Sequence, residues 1–158
     1  MKFLTLCIAF LSTTVIGAVA ESHRVHFENR CKSGTPKLIQ GPNVLSSGKD
    51  FTSNGPLASA IAYLDNGKCG FNGENCGTVE LTLINPDPSK PGSGSSADIS
   101  LIPPHKFSQA IGFRYTGGCT DGHDCNDANC HFAFRKPDDN FAQVACQKND
   151  VGLTITFC

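Results

Sequence analysis

Eight cysteines lie beyond residue 20, at positions 31, 69, 76, 119, 125, 130, 146 and 158, and any fold of this chain must accommodate them. The ninth, Cys7, falls in a stretch that reads as a secretory signal peptide. Lys2 supplies the positive start, Phe3 to Phe10 and Val15-Ile16 the apolar core, and Ala18-Val19-Ala20 a small-residue cleavage site. Residues 1–20 are expected to be removed, leaving residues 21–158 as one domain, near the usual ~100–150 residues of a single core. In an oxidising compartment an even set of cysteines reads as four disulfides, although eight cysteines allow about a hundred connectivities and spacing alone does not choose among them.

The same compartment argues against metal chemistry at these cysteines. Cys125 and Cys130 with His123 and His131 match no common zinc spacing. Asp121, Asp124 and Asp127 lack the alternating oxygen ligands and the central glycine of an EF-hand loop. No metal and no cofactor is expected. Without Lys2, twelve basic side chains face fourteen acidic ones, a net charge of −2 with no basic run, which gives no reason to expect a nucleic acid or an anionic membrane as partner. No stretch after Ala20 approaches the ~20 apolar residues of a membrane helix. The expectation is a secreted monomer, extracellular or associated with a cell wall.

Two alternating runs organise the middle of the chain. In Thr78 to Ile84, Val79, Leu81 and Leu83 share one face; in Ala97 to Ile102, Ala97, Ile99 and Leu101 do. Glu80 and Asp98 are left on the other faces. If the two strands pair antiparallel across the Pro/Gly/Ser-rich connector 85–96, opposed side chains stand roughly 4.5–5.5 Å apart at Cβ, close enough to form one acidic site. Two solvated residues on the wet face of an ordinary sheet give the same pattern.

Further short strands are expected before and after this pair. Arg24 to Cys31 alternates Val25 and Phe27 with His26 and Glu28, Lys37 to Gln40 is a weak strand, and Lys49 to Thr52 an edge strand. Val44-Leu45 lies between the turn signals Gly41-Pro42-Asn43 and Ser46-Ser47-Gly48. Leu57 to Leu64 alternates Leu57, Ser59, Ile61 and Tyr63, and its length favours strand over helix. Gly67 to Gly77 is a loop that a local Cys69–Cys76 bridge would staple, since its glycines let the backbone reverse. Lys106 to Tyr115 reads as one strand, Gly117 to Cys130 as a disulfide-held loop, and Phe141 to Cys146 with Gly152 to Cys158 as a hairpin around Lys148-Asn149-Asp150. Many short strands with Gly/Pro turns and no helix of ordinary length argue an all-β sandwich or flattened barrel.

On these residues the chain resembles the thaumatin-like (osmotin) family, in a reduced form like small secreted fungal proteins labelled glycopeptides. The resemblance rests on Val25 to Cys31, on Val79 to Leu83 followed by Ala97 to Leu101, and on Phe141 to Cys146 leading into Leu153 to Cys158. It implies a disulfide-stabilised β-sandwich from which the family's large second domain is missing, with only Gly117 to Lys136 in its place. It also implies the pairs Cys31–Cys158, Cys69–Cys76 and Cys119–Cys146, which leaves Cys125 with Cys130. Relatives of this type carry an acidic cleft, and some bind or slowly hydrolyse β-1,3-glucan there. Glu80 matches the cleft glutamate and Asp98 the second aspartate of the family's paired-aspartate strand. The first aspartate falls on Ser95, and the cleft arginine has no counterpart, since Tyr63-Leu64-Asp65 occupies that region.

Three functions follow as expectations. The first is a non-catalytic protein that binds wall polysaccharide, β-1,3-glucan foremost, or acts in extracellular defence. Glu80, Asp98 and Ser95 would form its groove, with Tyr63 and Tyr115 as ring platforms. The second is a weak β-1,3-glucanase using Glu80 as general acid and Asp98 as nucleophile or base, for which the missing domain removes the wall that would bury one carboxyl and raise its pKa. The third is an extracellular structural or effector protein with a protein partner. No Gly-x-Ser-x-Gly elbow, metalloprotease histidine spacing or Asn-x-Ser/Thr acceptor is present.

Overall fold

The computed structural model describes residues 20–158, so the signal-peptide stretch up to residue 19 lies outside the described residues. The elements in chain order are β1 (His23–Asn29), β2 (Thr35–Gln40), β3 (Asn43–Ser47), β4 (Phe51–Ser53), β5 (Leu57–Asp65), β6 (Thr78–Leu83), β7 (Ser95–Ser100), β8 (Ile111–Thr116), β9 (Gly122–Cys125), β10 (Ala133–Phe134), a 3-10 turn (Asn140–Ala142), β11 (Val144–Cys146) and β12 (Gly152–Phe157).

Alternation explains why these segments pair into two layers. In β6, Val79, Leu81 and Leu83 are buried while Glu80 and Thr82 are half-buried; in β12, Leu153, Ile155 and Phe157 are buried between half-buried Thr154 and Thr156. Each such strand has one apolar face to hide, and full burial of one Leu, Ile or Phe contributes roughly 1.5–3 kcal/mol. Sheet A runs β4-β1-β12-β8-β9, with β1 and β12 parallel and its other pairs antiparallel. Sheet B runs β10-β7-β6-β5-β2-β3, and β11 joins the edge of β7 that β10 also uses. Val25, Phe113, Ile155 and Phe157 from sheet A meet Leu38, Val79, Leu81 and Ile99 from sheet B in one core. Both sheets keep free edges, so the fold is an all-β sandwich and not a closed barrel.

Four disulfides pin the layers: Cys31–Cys158, Cys69–Cys76, Cys119–Cys146 and Cys125–Cys130. These are the pairs that the resemblance implies. The first joins the ends of the parallel neighbours β1 and β12, and the third ties the β8–β9 connection to β11.

Five sequence expectations need correcting. Val44-Leu45 is no mere spacer between turns, because β3 pairs with β2 through a register shift at Leu38/Ile39. In β5 an irregularity between Leu57 and Ala60 resets the alternation: Leu57 faces the core with Ala60, Ala62 and Leu64, which turns Ile61 and Tyr63 to the outer face. The strand expected from Lys106 begins only at Ile111, because Lys106 and Ser108 bond to the Gly67–Gly77 loop: Lys106 N–H donates to the Cys76 carbonyl (3.3 Å), and Ser108 Oγ accepts from Gly77 N–H (3.4 Å). The Gly117–Cys130 loop contains β9, which pairs with β8 and delivers Cys125 into the core. Finally, β11 and β12 form no hairpin. Each finds its partners in a different sheet, β7 for one and β1 with β8 for the other, so residues 147–151 cross between the layers.

Candidate functional site: an acidic groove on the outer face of sheet B

In the antiparallel pair β6–β7, Glu80 lies directly opposite Asp98, with Thr82 opposite Ser96 on one side and Thr78 opposite Ser100 on the other. The alternation that buries Val79, Leu81, Ala97 and Ile99 inside the sandwich sends these three polar pairs to the outer face. Like charges directly opposed across a strand pair repel. Burial, and after it the charge of Glu80, pushes the Asp98 carboxyl up to about 7, and nothing nearby acts to lower it. The acidic side chains that form ion pairs are others: His23 meets Glu21, Arg24 holds Asp50, Arg30 holds Glu28, Lys90 holds Asp87, Arg114 holds Asp124, and Lys136, in the segment beside the groove, holds Asp138 and more loosely Asp139.

Two walls turn the pair into a groove. On one side the β5 irregularity carries Ser59 at φ 52°, and its backbone N–H donates to Thr82 Oγ1 at 3.0 Å. Ser59, Ile61, Thr82 and Ser96 enclose, with the carboxylates, a recess of about 250 Å³. On the other side stands the segment 134–143. Asp139, only 7% exposed, accepts the backbone N–H groups of Arg135 (3.0 Å) and Lys136 (3.2 Å), which fixes the bend entering the 3-10 turn. That bend places Pro137, Asn140 and Gln143 beside Glu80 and Asp98 around a second recess of about 290 Å³. The expectation that the lost domain leaves the acidic pair without a wall is therefore corrected: Pro137 to Gln143, just past the segment singled out in the sequence, supplies one.

The other predicted site residues are not brought to the groove. Ser95 is fully buried, on the inner face of β7; its hydroxyl donates to the Ile84 carbonyl (3.1 Å) and accepts the Ile84 N–H (3.0 Å), closing the β6–β7 connection. Period two puts Ser96 outward in its place. Tyr63 shares the outer face but is covered by the Gly67–Gly77 loop, where its hydroxyl donates to the Phe71 carbonyl at 2.8 Å. Burial, then Asp65 and Glu74, raise its pKa. Tyr115 is a core residue whose hydroxyl donates to the Val144 carbonyl at 3.0 Å, and burial with the Asp98 charge raises it. Neither tyrosine offers a ring to a ligand.

The exposed rings are others. His123 stacks on Phe132 with centroids 4.7 Å apart, His131 stacks on Phe141 at 4.8 Å, and His131 meets Phe132 edge-on at 5.6 Å. Phe132 is 47% and Phe141 58% exposed, so each phenyl is backed by an imidazole and still open to solvent. Phe141 belongs to the same 3-10 turn as Asn140, which joins this ring ladder to the rim of the groove. Burial, then Arg114, lower the His123 pKa, so the ring nearest the core favours its neutral form. The ladder also accounts for the two histidines beside Cys125 and Cys130, whose sulfurs are joined to each other in a disulfide. No group of three or more His, Cys, Asp or Glu among the described residues is arranged to hold a metal ion.

The sequence carried part of this. Stepping by two from Glu80 and Asp98 reaches Thr78, Thr82, Ser96 and Ser100, whereas nothing in the local pattern marks Gln143 or Asn140, which approach from another segment. Chemically the groove offers two carboxylates, hydroxyls and side-chain amides, a set of donors and acceptors suited to a polyhydroxylated ligand. No protein-family model matches this chain, and no curated protein matches it.

Proposed function

We propose that this is a secreted, thaumatin-like protein, reduced in size, that binds a neutral wall polysaccharide of the β-1,3-glucan type in the Glu80/Asp98 groove without cleaving it, and that it acts in the cell wall or in extracellular defence. One observation carries the reading: the acidic pair lies in register on an outer sheet face, walled on both sides by hydroxyl and amide side chains. Sugar hydroxyls donate well to carboxylates and accept from amides and hydroxyls, so each rim group has a role toward such a ligand. The Phe132 and Phe141 rings take the part first expected of the tyrosines, since an open phenyl face suits the apolar face of a sugar ring. Four disulfides suit an oxidising, extracellular setting.

A weak β-1,3-glucanase is the second reading. What favours it is Asp98, whose carboxyl, pushed up to about 7, holds a proton near neutrality as a general acid must, which exchanges the roles first expected of Glu80 and Asp98. Directly opposed side chains stand roughly 4.5–5.5 Å apart at Cβ, near the ~5–5.5 Å separation of a retaining pair, so the release of sugar decides between the two readings. Sedimentation with insoluble β-1,3-glucan, chitin and cellulose, with reducing sugar measured in the same tubes, tests both. Glucan binding that Glu80→Gln and Asp98→Asn weaken, without sugar release, is the expected result. Release would establish the hydrolase, and failure to bind any of the polymers would overturn the polysaccharide reading.

A further inference from the structure

Two hydroxyls next to the acidic pair have no hydrogen-bond partner among the described residues. Thr78 Oγ1 and Ser100 Oγ are closed off from solvent, on residues 0% and 1% exposed, and the two residues face one another one step along the ladder from Glu80 and Asp98. A buried hydroxyl left unsatisfied is destabilising, because it has given up its bonds to water without replacement. Ser100 lines, with Glu80, Asp98, Asn140 and Gln143, one recess of about 290 Å³.

A single kind of occupant would relieve both the opposed charges and the orphaned Ser100 oxygen: a cation that accepts oxygen lone pairs from each. The donors around the recess are two carboxylates, one hydroxyl and two side-chain amides, with no imidazole or thiolate among them. Such hard oxygen donors select calcium or magnesium over zinc and copper, and a set drawn from three separate segments suits the adaptable shell of calcium better than the strict octahedron of magnesium. We propose that Glu80, Asp98 and Ser100, with the side-chain oxygens of Asn140 and Gln143, bind a calcium ion in this recess. Once the ion displaces any proton from Asp98, the two carboxylates match the charge of one calcium ion. So few carboxylates place the site in the weak class of extracellular modules, with dissociation constants on the order of 10⁻⁴–10⁻³ M. In the 117–130 segment, Asp124 is already paired with Arg114 and Asp127 accepts the Asn129 backbone N–H at 2.7 Å.

The proposal does not rest on polysaccharide binding, because the metal alone is the probe. Calcium chloride is titrated calorimetrically into oxidised, chelator-stripped protein, with thermal unfolding followed in parallel. The expected result is one bound ion, half-saturation between about 0.1 and 1 mM, a melting temperature that rises with calcium, and magnesium about tenfold weaker. Asp98→Asn, which keeps the side-chain shape, should weaken binding about tenfold or more and Ser100→Ala severalfold, while Asp127→Asn leaves it unchanged. The unfolding scans show that each variant is folded. No heat up to about 10 mM calcium from the folded protein, or binding that survives Asp98→Asn, would overturn the assignment. Glucan sedimentation in chelator keeps the two readings apart, since it reports on the polymer with the metal removed.

Discussion

Tyr115 donates its hydroxyl to the Val144 carbonyl at 3.0 Å, so a residue of sheet A fastens the short strand that follows the groove wall at the edge of sheet B. Tyr115→Phe keeps the ring in the core and removes only this bond. Stability should fall by about 1 kcal/mol, the usual net value of such a hydrogen bond. Chemical denaturation measures the loss, and glucan binding should change little, because Tyr115 is no ligand platform.

Asp98 makes stability depend on pH in a definite direction. Folding raises its carboxyl from the ordinary 3.8 to about 7, so the native state keeps a proton that the unfolded chain gives up between those values. The stability held by the protonated form is complete below 3.8 and is lost as pH rises through about 7. Asp98→Asn should therefore outlast the native sequence above neutrality, by on the order of a few kcal/mol at most, and the gap should close on acidification. Melting temperatures across this range, taken in chelator so that calcium does not intervene, decide the matter; parallel curves would mean that Asp98 does not titrate this way.

The four disulfides should not be equivalent. Cys31–Cys158 closes a separation of 127 residues and Cys69–Cys76 one of 7. By chain entropy, removing the first should cost about 5 kcal/mol and the second about 2 kcal/mol, before any native strain is counted. Paired Cys→Ser variants compared by guanidinium denaturation give both numbers.

Phe141 separates ligand binding from packing. With 58% of its surface exposed, Phe141→Ala should leave folding within about 1 kcal/mol while weakening polysaccharide binding severalfold. If binding survives while Glu80→Gln abolishes it, the ring ladder is no part of the site.

The β6–β7 pair was legible because its alternation is unbroken: Val79, Leu81 and Leu83 against Ala97 and Ile99 leave Glu80 and Asp98 only one face to occupy. Register was not legible. It depends on how the 84–94 connector is closed, and Ser95 does that from inside by bonding both backbone groups of Ile84. The same inward turn removed Ser95 from the groove. Leu57 was misread because one irregular step in β5 reverses the faces on either side of it, and no local pattern announces such a step. β11 and β12 look like a hairpin in one dimension because each alternates and a turn signal lies between them. Their true partners, β7 on one side and β1 with β8 on the other, are distant in sequence and compete successfully through the core they bury. The exposed rings escaped notice for a related reason: His123, Phe132 and Phe141 come from three segments that meet only after Cys125–Cys130 and Asp139 have shaped the chain.

The position of β12 between β1 and β8 bears on how the protein is assembled. Until residues 152–157 enter, sheet A exists as two fragments, β4-β1 and β8-β9, each with a bare strand edge that the missing strand would cover. Contacts between β1 and β12 span more than 120 residues, so the sheet closes only through long-range encounters, which makes for slow folding. A partly synthesised chain is thus most vulnerable to edge-to-edge association with its neighbours, and a helper that shields strand edges would raise its yield most before β12 is in place.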